Sequence, residues 1–147
     1  MTSGADVAVE TGVDGGLRAG ILPVQEIRGA IDSGMIAASA PISKAQMQPA
    51  SLDLRLGTRA WRVQSSFLPG MEMSVEDKLA RLAMHQIDLT GGAVLERGCV
   101  YIVELQESLR LEKGLSAMAN PKSSTGRLDI FTRLITDRAP ELSLIHI

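Results

Sequence analysis

The sequence is poor in the residues that mark several classes of protein. It contains one cysteine, Cys99, in 147 residues, which excludes an intramolecular disulfide and is typical of a reducing cytoplasm. One Trp, one Tyr and two Phe are its only aromatic residues, so the core must be mainly aliphatic. No apolar run approaches the roughly 18 residues of a membrane-spanning helix, and the N-terminus lacks the pattern of a signal peptide. We therefore expect a cytoplasmic protein without a membrane partner.

Several functional motifs are also missing. The formal net charge is −2, whereas proteins that coat nucleic acids are normally basic, so we expect no nucleic-acid partner. Zinc-dependent nucleobase deaminases need an H-x-E and a P-C-x-x-C motif, and a chain with one cysteine has no such pair. No G-x-x-x-x-G-K-[ST] motif occurs, which excludes a classical P-loop.

Apolar periodicity predicts two helices and many short strands. Residues 23–33 and 75–84 carry apolar side chains at helical spacing, and Ser74 with Asp77 forms a capping-box pattern before the second helix. Short apolar or alternating runs predict strands at 52–56, 61–64, 87–89, 93–95, 99–105, 109–111, 115–119 and 130–135. Strands at intervals of about ten residues favour a mainly β barrel or sandwich with short helices.

A polar cluster at residues 122–127, Lys-Ser-Ser-Thr-Gly-Arg, is the strongest candidate for a functional site. Hydroxyls and backbone N–H groups around a flexible glycine suit a phosphate. Lys122 can act as a point charge on such a group, and Arg127 can bind it through two hydrogen bonds. The same residue types are common in ordinary surface loops, so composition alone leaves both interpretations open. We expect residues 123–127 to form an ordered connection beside strands, not the middle of a helix.

A second motif lies earlier, at residues 48–57, Gln-Pro-Ala-Ser-Leu-Asp-Leu-Arg-Leu-Gly. Three leucines alternate here with Ser51, Asp53 and Arg55, which predicts a half-buried strand with a polar face. That polar face can simply be solvated.

The two motifs together resemble those of the dCTP deaminases, which share a fold with the dUTPases. In that family a basic residue, two serines, a two-residue spacer and an arginine precede an apolar strand. Lys122, Ser123, Ser124 and Arg127 occupy these positions. The resemblance covers about residues 20–137 and is closest to the longer, bacterial branch of the family. It implies a dUTPase-like (β-clip) fold and a homotrimer with sites shared between subunits.

The resemblance also implies the chemistry. A dCTP deaminase is a hydrolase that acts on a C–N bond of a cyclic amidine. It converts dCTP to dUTP and ammonia in pyrimidine deoxynucleotide biosynthesis. A carboxylate base activates the water, without zinc, and Mg²⁺ accompanies the triphosphate. By position, Ser123 and Arg127 would lie near the attacking water and the C4 edge of the base. Lys122 and Ser124 would face the phosphates, and Gly126 would let the backbone approach them closely.

Two other implications concern the strand motif and the catalytic base. The strand at Asp53 and Arg55 would support the subunit contacts and the site. The family's catalytic glutamate follows the signature loop and has no counterpart here, and Glu141 is too close to the loop to be assigned. We therefore expect the chain itself to be inactive. A dUTPase-like diphosphohydrolase on the same fold and a non-catalytic nucleotide-binding relative stay open as alternatives.

The chain divides into three expected parts. Residues 1–19 are rich in small residues without a sustained period, which predicts a disordered leader. Residues 20–141 are interpreted as an incomplete, truncated dCTP deaminase-like domain. Residues 142–147, Leu-Ser-Leu-Ile-His-Ile, resemble the translation of a transposon sequencing adapter, and we expect an adapter-derived tail there.

Overall fold

The computed structural model describes residues 5–11, 20–68, 70, 72–136 and 141–146, with side chains described between residues 20 and 136 only. The described residues are mainly strands with a few short helices. In chain order the elements are β1 (Ala5–Thr11), β2 (Gly20–Ile21), α1 (Val24–Asp32), β3 (Ile36–Ala38), a 3-10 turn (Lys44–Gln46), β4 (Leu52–Asp53), β5 (Leu56–Val63), α2 (Val75–Leu82), β6 (Ala83–Asp88), β7 (Val100–Arg110), β8 (Leu115–Pro121), α3 (Ser123–Gly126), β9 (Arg133–Ile135) and β10 (Glu141–His146).

The strands form two antiparallel sheets. In the first, β1 pairs along its length with β8 and, on its other edge, with β2 and β4. In the second, the order is β6-β5-β7-β10-β9, and β3 pairs with β7. The mainly β architecture with short helices is confirmed. Among the described residues, no helix is long and apolar enough to cross a membrane.

Two clusters of aliphatic side chains form the core. The larger one contains Ile27 and Ala30 of α1 and residues from both sheets, among them Leu52 of β4 and Val103 of β7. The smaller cluster lies under α2, where Val75 and Leu79 pack with β5 and β7. The scarcity of aromatic residues is consistent with this composition, since Tyr101 is the only aromatic residue among the buried residues of the described part.

Both helices are found where the apolar stripe predicted them. Pro23, the predicted first helical residue, is instead the N-cap of α1 with extended backbone, so the helix begins one residue later, at Val24. Ser74 caps α2 through the expected capping box with Asp77, and the hydrogen bonds from Ser74 lower the pKa of Asp77. The prediction ended α2 too late, because the backbone of Ala83 turns to the extended conformation (ψ 129°) and begins β6.

The predicted strands are partly corrected by the sheet pairing. The two strands predicted at 99–105 and 109–111 are one strand, β7 (Val100–Arg110), because pairing with β5, β3 and β10 continues through the polar residues between them. Residues 93–95 form no strand. Of residues 130–135, only Arg133–Ile135 is a strand.

A strand lies near each end of the described residues. Ala5–Thr11, within the segment where a disordered leader was predicted, forms β1, whose backbone pairs with β8 over seven residues. Valines alternate there with other residues at positions 7 and 9, a pattern that suits a strand once a partner edge is available. The rest of residues 1–19 lies outside the described residues. The backbone of Glu141–His146 forms β10, between β7 and β9.

The central strand β7 carries two glutamates in different surroundings. Glu107 is fully buried and accepts hydrogen bonds from the backbone N–H of Arg55 (2.7 Å) and from its Nε (2.7 Å). Glu104 lies near the surface, where the guanidinium of Arg59 binds it through two hydrogen bonds (2.8 and 3.0 Å) and lowers its pKa. The two pairs have similar chemistry and differ mainly in burial.

Replacing the buried glutamate should therefore cost much more than replacing the exposed one. We expect Glu107→Gln to lower the free energy of unfolding by about 3 to 5 kcal/mol, since it leaves the guanidinium of Arg55 without its counter-charge. The matched control Glu104→Gln should cost less than about 1 kcal/mol. Urea denaturation followed by circular dichroism measures both, and equal losses in the two variants would contradict this assignment.

Candidate functional site

The signature segment begins where β8 ends. Lys122 is the N-cap of α3, a single helical turn, and its carbonyl oxygen accepts the N–H groups of Thr125 and Gly126 (both 3.0 Å). The Arg127 N–H donates to the carbonyl of Ser123 (3.0 Å). The turn ends at Asp129, whose φ of 59° lies in the left-handed region that aspartate tolerates better than most residues. The segment is an ordered connection between strands, as predicted, and although it contains one helical turn it is not the middle of a longer helix.

Most of the polar side chains of this turn face solvent. Ser123, Ser124 and Arg127 are exposed, and none of them makes a side-chain hydrogen bond or ion pair with the part of the chain that the structure describes. Gly126 has an ordinary φ, and a Cβ added there would meet no atom within 4 Å. The fold therefore leaves two hydroxyls and a guanidinium free, and it does not itself require a glycine at position 126.

Lys122 joins the two sequence motifs. Its ammonium group forms an ion pair with Oδ2 of Asp53, which also accepts a hydrogen bond from Nε2 of Gln48 (3.3 Å). The Asp53 side chain is only 3% exposed, whereas that of Lys122 is 30% exposed. The predicted half-buried strand is thus wrong at Asp53, and of the two open interpretations of its polar face the solvated one does not hold for this residue. The chain breaks there into β4 and β5, and Leu52, Asp53 and Leu54 are all buried.

A buried polar network supports the strand motif from behind. Nε2 of Gln46 donates to the carbonyl of Asp53 and to Oε1 of Glu107 (both 3.0 Å). The guanidinium of Arg55 binds Glu107 and also donates to the carbonyls of Pro41 (3.1 Å) and Ala40 (2.8 Å). This network determines the position of the backbone that carries Asp53.

Sequence reasoning missed Glu107 and Gln46. Glu107 is two residues from both Leu105 and Leu109, so it lies on the same face of β7 as these two buried residues. A lone carboxylate at an inward position of an alternating strand needs a buried partner, and this signal could have identified it. Nothing comparable in the sequence marks Gln46.

A cleft of about 860 Å³ lies beside the end of the signature segment. On one side it is lined by residues 95–101 and on the other by residues 128–131. Leu128 and Phe131 are 72% and 77% exposed at this place. Among the described residues, no group of three or more His, Cys, Asp or Glu side chains is placed to hold a metal ion.

Comparisons with known proteins identify a family and a similar solved structure. Residues 18–146 match the family described as the 2'-deoxycytidine 5'-triphosphate deaminase (DCD) N-terminal domain. The match extends past residue 137, where the resemblance in the sequence was expected to end. A crystal structure of 2'-deoxycytidine 5'-triphosphate deaminase from Agrobacterium tumefaciens is 51% identical, with a TM-score of 0.80. The similarity covers 86% of this chain and 41% of that one, so this chain spans about two fifths of its length.

The family match covers most of the chain, and the similar crystal structure shares both its sequence and its fold. The chain therefore belongs to the dCTP deaminase family, and it corresponds to that family's N-terminal domain.

Proposed function

We propose that this chain is the nucleotide-binding N-terminal part of a dCTP deaminase, which hydrolyses dCTP to dUTP and ammonia. The observation that carries the proposal is the exposed turn at Ser123–Gly126, whose hydroxyls and following guanidinium have no partner within the described residues. Polar side chains that are unpaired on an ordered backbone can bind a ligand without first breaking internal contacts.

Different residues of the turn bind different parts of the substrate. Lys122 and Ser124 bind the phosphates, and Gly126 lets the backbone approach them. Ser123 and Arg127 lie at the reacting end, where a water adds to C4 and ammonia leaves. Fixed donors there hold the water and stabilise the charge that develops in the transition state. The carboxylate that accepts the water's proton is not assigned to any residue of this chain.

Magnesium binds together with the substrate, as a complex with the triphosphate. The described residues offer no cluster of carboxylates for a resident ion, and Mg²⁺ at nucleotide sites is commonly held by phosphate oxygens and water. We therefore propose that the chain recognises dCTP as its magnesium complex.

Homotrimer assembly belongs to the same proposal. Leu128 and Phe131 are large apolar side chains that remain exposed beside the signature turn, and such exposure is typical of contact surfaces. A subunit that packs here would enclose the cleft and share the site.

The two cations should have separable effects on kinetics. In a protein of the family's full length that carries this turn, we expect Arg127→Ala to lower kcat about 100- to 1000-fold, the usual cost of losing a preorganised donor. It should leave triphosphate affinity partly intact. Lys122→Ala should mainly raise KM. Steady-state ammonia release measures both constants, and the reverse pattern would show that the two roles are exchanged.

The 147-residue chain alone should release no ammonia from dCTP and magnesium. None of its glutamates matches the position of the family's catalytic base. The Agrobacterium tumefaciens deaminase serves as the positive control for the assay, and dUTP with pyrophosphate detection tests for dUTPase activity. Ammonia release comparable to the control would place the base within these 147 residues.

Gly126 should matter for binding and not for folding. We expect Gly126→Ala to leave the Tm unchanged or slightly raised, because alanine favours a helical turn by about 1 kcal/mol. The affinity for dCTP should fall at least about tenfold, because the methyl group occupies the space the phosphates need. Gly29→Ala in α1, where an added Cβ also meets no atom within 4 Å, is the matched control for calorimetric titration. Equal affinities in both variants would contradict a close backbone approach.

A further inference from the structure

The position of Lys122 depends on a buried carboxylate from a distant part of the sequence. Asp53 lies on β4 and is 69 residues away from Lys122 along the chain. Its carboxylate is almost completely buried and meets the ammonium group of Lys122 and the side-chain amide of Gln48. Only one of its oxygens is used, since Oδ1 is buried and has no hydrogen-bond partner in the described structure.

This arrangement makes it costly for Lys122 to leave. Without the ammonium group, Asp53 would be a buried carboxylate whose remaining hydrogen bond comes from Gln48. Breaking a buried ion pair on one side is strongly unfavourable, whereas an exposed lysine forms and breaks surface pairs at little cost. Lys122 is therefore held at Asp53, and its 30% exposure leaves room for a ligand on the other side of the same ammonium group, which has three N–H donors.

The anchor is itself rigid. The carbonyl of Asp53 accepts a hydrogen bond from Gln46, and Gln46 also binds the fully buried Glu107. Lys122, in turn, is the N-cap of the signature turn and accepts the N–H groups of Thr125 and Gly126. A continuous chain of polar contacts thus leads from the inner face of β7 to the candidate site.

We propose that Asp53 is a positioning residue for the nucleotide site: it holds the Lys122 ammonium group at the start of the Ser123–Gly126 turn. It acts through Lys122 and does not touch the substrate. Because it sets both the ammonium position and the start of the turn, it controls recognition of the triphosphate part of the ligand. This last step rests on the proposed function, whereas the coupling between Asp53 and the turn does not.

The coupling can be tested without a ligand. In Asp53→Asn, we expect hydrogen exchange of the Thr125 and Gly126 amides to become about tenfold faster, while amides of β7 keep their rates. Lys122→Met should give the same increase, and the double variant should give no further increase. Glu104→Gln breaks the surface pair with Arg59 and should leave the turn unchanged.

Each other outcome of this experiment counts against the proposal. Unchanged exchange at the turn, additive effects of the two substitutions, or a uniform increase over the whole chain would overturn it. If Asp53→Asn does not fold, Lys122→Met decides the question, because its side chain is partly exposed. Lys122→Arg keeps the charge and should restore slow exchange.

The consequence for binding is tested with two probes. We expect Asp53→Asn and Lys122→Met to weaken binding of inorganic tripolyphosphate about tenfold or more, as the loss of a charge-assisted hydrogen bond would. Binding of deoxycytidine should be unchanged. Equal weakening of both probes, or of neither, would overturn the role in triphosphate recognition. If the unsubstituted chain binds neither probe, the proposed function fails, while the exchange experiment still decides the coupling.

Discussion

The buried pairing of Glu107 with Arg55 is the interaction on which the rest of the site depends. It joins the inner face of the central strand to the loop between β4 and β5. Gln46 extends the same network to the backbone of Asp53, and Asp53 extends it to the signature turn through Lys122. The exposed residues of the site thus rest on a series of contacts that begins in the core.

Two carboxylates and two cations make up this series, so their formal charges balance. Burying such groups is costly, and a buried ion pair is a weak source of net stability compared with apolar packing. A buried ion pair instead fixes the relative positions of its groups, because a buried carboxylate tolerates few arrangements of its partners. This explains how a mainly aliphatic core, which packs without directional contacts, can hold a polar turn at one place on its surface.

The free groups of the signature turn complement this rigid support. Ser123, Ser124 and Arg127 are exposed and make no side-chain hydrogen bond or ion pair with the described part of the chain. Their backbone is ordered by the helical turn, which repeats hydrogen bonds to Lys122 and Ser123. Such side chains are suited to recognition. Because the fold already orders their backbone, ligand binding does not have to offset the entropy of ordering it. This geometry therefore supports the proposal that the turn, which lies within the residues matched by the family, binds the nucleotide.

Short-range patterns in the sequence were sufficient to predict part of the fold and the candidate site. The apolar stripes placed α1 and α2 to within a few residues, since a helix depends on neighbours three and four positions apart. The order of residues 122–127 identified the candidate site and its family. It did not reveal that the segment is helical, because a single turn is too short to carry a period.

The roles of Asp53 and Glu107 were decided by tertiary structure alone. In the sequence, Asp53 occupies the polar half of an alternating run, and Glu107 lies in a short polar stretch between two apolar runs. Their partners lie 69 and 52 residues away along the chain, and no local pattern encodes those distances. The pairing of β1 with β4 and β8, and of β7 with β5, brings these groups together. Sequence by itself determined the class of fold, the family and the residues that we propose for ligand binding. The register of the sheets decided which charges are buried and what holds the site in place, because only pairing between distant strands creates that environment.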